Sequence, residues 1–238
     1  MLRKLLIVFA SGVILSIVAF SAAWLVGGDK FRQEFRDHNG WQWTIGDDDD
    51  DAGPRKTRSF AIAPGTQLAM EVPVDLHFAR GDKAEMQVEG PASYVDKLVF
   101  ANGRLSLRGS DHGMHHGFKV RIIAPEISGL DLDAPGNVTL AGLDQESLQL
   151  NSRGAIDLDA WGKVNRMLVT SEGASDIDLG RVEGKDATVR LNGVGDVTIG
   201  ATGTVDVEIN GAGSVTLRRK PQSLRTQING LGSIDHDY

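Results

Sequence analysis

The chain contains no cysteine. That absence removes disulfides, thiolate metal sites, a cysteine nucleophile and lipid attachment at an N-terminal cysteine. It leaves the compartment open, because an exported protein can fold without disulfides. Proline is scarce, at 7 residues of 238, and aromatic residues make up only 6%. Glycine is plentiful by contrast, at 29 residues, and the hydrophobic content of 41% is enough for a core. Few aromatics and many glycines suit an all-β protein with many tight turns better than a helical one. Beyond residue 28 no segment carries an apolar stripe of 3.6-residue period with caps at its ends, so almost no helix is expected there.

Acidic residues are missing from the start of the chain until Asp29. Arg3 and Lys4 precede an uncharged run from Leu5 to Gly28, 24 residues long. As a helix rising 1.5 Å per residue that run spans about 36 Å, more than the roughly 30 Å hydrocarbon core of a bilayer. A cleaved signal peptide has a shorter apolar run and a small-residue cleavage site. Ser21-Ala22-Ala23 offers such a site, but the apolar run continues through Trp24-Leu25-Val26. Residues 1–28 therefore read as an uncleaved transmembrane anchor, with release after cleavage as the alternative. Either way the positive N-terminus stays inside and the rest is exported. The exported part carries 23 basic against 32 acidic side chains, a net of −9. Such a surface repels phosphates at long range, so a nucleic-acid partner is excluded as a class.

Residues 29–57 join the anchor to the β-patterned remainder of the chain. Phe31, Phe35, Trp41 and Trp43 suit a juxtamembrane position, where aromatics sit at the headgroups. The run Asp47–Asp51 repels itself and reads as an extended linker; as a calcium site it lacks oxygens spaced around a glycine turn. Residues 58–129 then alternate with period two in QLAMEV, VDLHFA, RLSL and FKVRIIAP, the pattern of half-buried strands. Asn102-Gly103, between LVFA and RLSL, predicts a two-residue hairpin of the type that needs positive φ at both positions.

From residue 130 to 238 the chain repeats itself. INGAGSV (209–215) returns as INGLGSI (228–234) and is preceded by LNGVGDV (191–197). Each unit is an alternating strand, a glycine turn and a second short strand. The second half opens at Gly136, Gly154, Ser175, Gly195, Gly213 and Gly232, in steps of 18, 21, 20, 18 and 19 residues. An earlier stretch, LAMEVPVDLHFARG (68–81), loosely echoes LDLDAPGNVTLAG (130–142), with Met70, Pro73 and Phe78 in matching places. A period near 19 with two strands per unit is the signature of a parallel β-helix or β-solenoid. Val205, Val207, Ile209, Val215 and Leu217 then point into a shared core while Asp206, Glu208 and Thr216 face out. Gly193, Gly195, Gly211, Gly213, Gly230 and Gly232 read as coil corners that need positive φ. Asn192, Asn210 and Asn229 form one column beside those corners, read as an internal ladder of stacked amides.

Chemically suggestive residues are few. The Gly-x-Gly pairs cannot cradle a phosphate, because no helix follows them. A calcium-binding β-roll would place its glycine-aspartate motif in every half-turn, whereas here it comes once per coil. Asp157, Asp159, Asp176, Asp178 and Asp196 form an acidic stripe. Paired carboxylates can hydrolyse glycosides, though Asp is also simply favoured beside turns. His112, His115 and His116 share a short loop that offers imidazoles to a metal without a defined framework. No Ser-His-Asp set with an elbow motif is visible, and no catalytic residue, metal site or cofactor is assigned.

The Asn-Gly-x-Gly-Ser/Asp-Val/Ile repeats, following VRIIAPEISGLDL (120–132), resemble the head GIN domain family of putative auto-transporter adhesins. The resemblance covers roughly residues 59–236 and implies a β-helix-like fold and an exported, bacterial envelope protein. It brings no catalytic residue or cofactor. The expectation is thus a single-pass inner-membrane protein with its solenoid in the periplasm. It would act as a non-enzymatic binding, adhesin-like or scaffolding module toward an envelope glycan or protein. The alternative is a polysaccharide-acting enzyme that uses the surface Asp residues.

Overall fold

The computed structural model describes residues 54–109 and 117–238. The predicted anchor at 1–28, the Asp47–Asp51 run and the loop carrying His112, His115 and His116 lie outside the described residues. Among the described residues no helix is long and apolar enough to cross a membrane.

Among those residues all regular structure but one turn is β. The strands are β1 (Arg55–Ala61), β2 (Gln67–Met70), β3 (Val74–Arg80), β4 (Glu85–Pro91), β5 (Leu98–Ala101), β6 (Arg104–Leu107), β7 (Phe118–Ala124) and β8 (Gly129–Leu132). They continue as β9 (Gly136–Ser152), β10 (Ala155–Ser171), β11 (Ala174–Leu191), β12 (Val194–Ala201), β13 (Thr204–Ile209), β14 (Ala212–Leu217), β15 (Ser223–Ile228) and β16 (Leu231–His236). A four-residue helical turn, α1 (Ala92–Val95), interrupts them.

The strands stack in parallel as a β-solenoid of about five turns. Each coil contributes to two ladders. The front ladder runs β7, β3, the first halves of β9, β10 and β11, then β12, β14 and β16. The back ladder runs β6, β2, β8, the second halves of β9, β10 and β11, then β13 and β15. Antiparallel β4 and β1 extend the front ladder beyond β7, and antiparallel β5 extends the back one beyond β6. The β5–β6 hairpin turns at Asn102 (φ 53°) and Gly103 (φ 77°), the positive-φ pair its sequence requires.

Alternation does the rest. Ile156, Leu158, Ile177, Leu179, Val197 and Ile199 of the front ladder meet Val169, Val189, Leu191, Val205 and Val207 of the back one in a single buried core. One coil cannot hide its own apolar side; the next coil covers it. The echo between 68–81 and 130–142 is real pairing: Met70 lies beside Leu132 and Phe78 beside Leu140. The ladders therefore run without a break across residue 130.

The expected two short strands per coil are replaced in mid-solenoid by continuous bent strands, β9 to β11, of 17 or 18 residues. Ladder bonding persists around the bend because register shifts there, near Trp161–Gly162, absorb the turn.

Candidate functional site

Three exposed features repeat from coil to coil: the glycine corner, an acidic file on the front face and a trench on the back face. At the corner the register sorts the glycines into two columns with different tasks. Gly154, Gly173, Gly193, Gly211 and Gly230 lie above one another. A Cβ on Gly211 would stand 1.8 Å from the Gly193 carbonyl oxygen, and one on Gly193 would stand 2.0 Å from that of Gly173. Those carbonyls accept ladder bonds, Gly193 from the Ala212 N–H at 3.0 Å. Close backbone approach, not positive φ, is what this column needs. The second column holds Gly136, Ile156, Ser175, Gly195, Gly213 and Gly232. Here Gly195 (φ 138°) and Gly213 (φ 156°) are left-handed. Gly154 therefore belongs to the first column, and Ile156 takes the place expected for it in the second. Gly173, which the repeat alignment passes over, completes the stack.

Asn192, Asn210 and Asn229 do bond to one another. The Asn210 amide donates to Asn192 Oδ1 at 2.9 Å, and the Asn229 amide donates to Asn210 Oδ1 at 2.8 Å. All three are exposed, so the expected internal ladder stands on the outside. Parity is the reason: Leu191, Ile209 and Ile228 immediately before them take the core-side positions of the coils. An exposed amide ladder exchanges bonds with water and contributes modestly.

On the front face Asp157, Asp176 and Asp196 fall in one file, with Asp159 and Asp178 in the next outward one. Partners are uneven. Asp196 Oδ1 accepts from the Ser214 N–H at 2.9 Å and its hydroxyl at 2.6 Å, and Arg181 pairs with Asp159 while stacking 5.0 Å from the Trp161 ring. Asp176 is pushed above the usual carboxylate range by partial burial between coils, and then by Asp157, Asp196 and Asp178. Asp157 rises for the same first cause, with Asp159 adding. The carboxylates stand side by side on one open face, whereas glycoside chemistry needs two flanking a bond. Among the described residues no group of three His, Asp or Glu side chains is placed to hold a metal ion.

The file ties stability to pH. The folded pKa values of Asp157 and Asp176 are both raised, so between the ordinary and the raised value the folded chain holds protons that the unfolded chain has lost. Stability then falls as pH rises through that window, and at neutral pH the file is a net cost. Like charges directly opposed across strands are destabilising, and the scale of a cross-strand charge pair is about 0.2–1 kcal/mol. Asp176→Asn should raise Tm at pH 7 by about 1–3 °C, using the scale for a domain of this size. The gain should vanish once the file is protonated in acid. A Tm at pH 7 equal to or below the parent's would contradict the repulsion.

The back face carries a concave feature. Side chains two positions apart on each strand point outward and leave a trench between two rows. One row is Gln67, Gln149, Leu168, Thr188 and Asp206, with Gly129 adding no side chain between the first two. The other is Ser147, Arg166, Asp186 and Thr204. Leu148, Met167 and Ala187 form the floor, and the trench encloses about 670 Å³. It crosses six successive strands, β2, β8, β9, β10, β11 and β13, a length on the order of 24 Å at ladder spacing. Asp186 Oδ1 is engaged by the Thr204 N–H at 2.8 Å, and Arg166 lies 3.2 Å from Glu146. Sequence reading missed this site. Its one local signal is Leu168, an apolar residue at an outward position.

A stacked parallel ladder with a bent strand per coil defines a β-solenoid with a groove along its side. The chain matches the family described as "Putative auto-transporter adhesin, head GIN domain" over residues 66–161 and 135–221, and it belongs to that family. Its fold is similar to the solved structure of a putative adhesin from Bacteroides fragilis, at 19% identity and a TM-score of 0.62, covering 77% of this chain and 97% of that one. A putative lipid binding protein from Parabacteroides distasonis (18% identity, TM-score 0.42) and a putative adhesin from Parabacteroides merdae (11%, 0.43) are more distantly similar. They cover 77% of this chain and 97% and 96% of their own. No match is found among curated proteins.

Proposed function

We propose that this chain is a non-enzymatic, adhesin-like binding module of the bacterial envelope. Residues 1–28 would hold it in the inner membrane, and the solenoid would lie in the periplasm. The long apolar run after Arg3-Lys4 supports the anchor, and the family name supports an adhesive role. The observation that carries the binding role is the back-face trench: a preformed concavity whose lining includes the neutral hydrogen-bonding side chains of Ser147, Gln149, Thr188 and Thr204. Catalysis by the acidic file is the second reading, favoured by the raised pKa of Asp176. That file lies apart from the trench on the other ladder.

The two readings separate in one experiment. The full chain, in detergent, is mixed with insoluble cell-wall and extracellular polysaccharide preparations. Saturable co-sedimentation without new reducing ends is the expected outcome. Release of reducing ends that Asp176→Asn abolishes would make the protein an enzyme instead.

A further inference from the structure

Resting on the binding role above, we propose that the back-face trench takes a neutral, extended glycan chain lying along the solenoid axis. Geometry comes first. Along the axis the trench offers outward side chains at equivalent register positions about every 4.8 Å, the ladder spacing. That step is close to one extended pyranose unit, so successive sugars can each lie over a successive coil. An extended peptide repeats its side-chain pattern every two residues, about 6.7 Å, and falls out of step. It would also seek unpaired backbone groups, as strand-addition partners do. Here the strands flooring the trench are already paired on both sides in the ladder.

The chemistry of the walls agrees. Gln149, Ser147, Thr188 and Thr204 are neutral groups that supply donors and acceptors together, as sugar hydroxyls require. Leu168, half-buried between Gln149 and Thr188, offers an apolar patch to the C–H face of a ring. A lipid chain would need such a patch to be continuous, and polar neighbours interrupt it. The charged lining residues are Arg166, Asp186 and Asp206, and Arg166 faces Glu146. No net positive charge awaits a polyanion, and the chain as a whole carries −7.

Calorimetric titration of the full chain with cello-, chito- and manno-oligosaccharides of two to six units tests this. An oligogalacturonate and an extended Ser/Thr-rich peptide serve as comparison ligands. At least one neutral series should bind, with affinity rising with each added unit because each new sugar reaches a further coil. Salt should leave that affinity unchanged. Leu168→Glu should weaken it at least tenfold, and so should Gln149→Ala combined with Thr188→Ala. Asp196→Asn on the front face should not. Circular dichroism melts of each variant establish that it is folded. Binding of none of the three neutral series, no gain with length, or equal binding by the folded trench variants would overturn the proposal. Preference for the polyanion or the peptide, lost in Leu168→Glu, would also overturn it while leaving the binding role of the trench intact.

Discussion

Gly211→Ala is expected to destabilise the solenoid by about 3 kcal/mol or more, a cost at the upper end for single substitutions. The added Cβ would lie 1.8 Å from the Gly193 carbonyl oxygen and 2.9 Å from its carbonyl carbon. Both are backbone atoms, so no side chain can swing aside. The Gly193 carbonyl is also bonded to the Ala212 N–H, and retreat by either strand lengthens that bond and its neighbours in the ladder. A loss of that size should lower Tm by roughly 6–12 °C for a chain of this size. Thr216→Val, at an outward strand position on the same coil, should leave Tm nearly unchanged. Urea or thermal melts of the two variants decide the matter. A Gly211→Ala melt within about 2 °C of the parent, well short of the expected shift, would show that the corners do not stack this tightly.

Phe78→Ala should cost a comparable amount, about 3–5 kcal/mol, the usual range for deleting a buried aromatic. Phe78 is 1% exposed and lies on β3, between β7 and β9, with Ile122 and Leu140 as its register neighbours. These neighbours are held by ladders on both sides, so the void cannot readily collapse. The expected loss also depends on residues 67–80 forming a coil of the solenoid and not an independent cap. If the first coil unfolded by itself, Phe78→Ala would split the denaturation curve into two steps and leave the main transition in place. A single transition shifted to lower denaturant is the expected result.

Much of this architecture can be read from particular residues. Asn102-Gly103 declares its hairpin because few other pairs tolerate two positive φ values. Met70, Pro73 and Phe78 declare the first coil by standing where Leu132, Pro135 and Leu140 stand. The outward face of the asparagine column is also legible, since Leu191, Ile209 and Ile228 fix the parity of the residues after them. Reading the amides as internal weights side-chain chemistry over alternation, and alternation wins. The glycine corners show a different limit. A sequence signals that a Cβ is not tolerated, but not whether φ or a neighbouring carbonyl forbids it. In Gly195 it is both, and in Gly211 the carbonyl alone. Beyond the outward Leu168 the trench is not legible, because Gln149, Leu168 and Thr188 are some twenty residues apart and become neighbours only once the register of three coils is set. The acidic stripe is visible for the opposite reason: its charges recur at two fixed repeat positions.

The proposed working surface is the trench and not the acidic file. It is tested by retention of the purified chain on insoluble envelope polysaccharide, with Leu168→Glu and Asp176→Asn compared side by side after both are shown to be folded. Leu168→Glu should be washed through while Asp176→Asn is retained like the parent. Retention of Leu168→Glu together with loss of Asp176→Asn would contradict it and move the site to the front face.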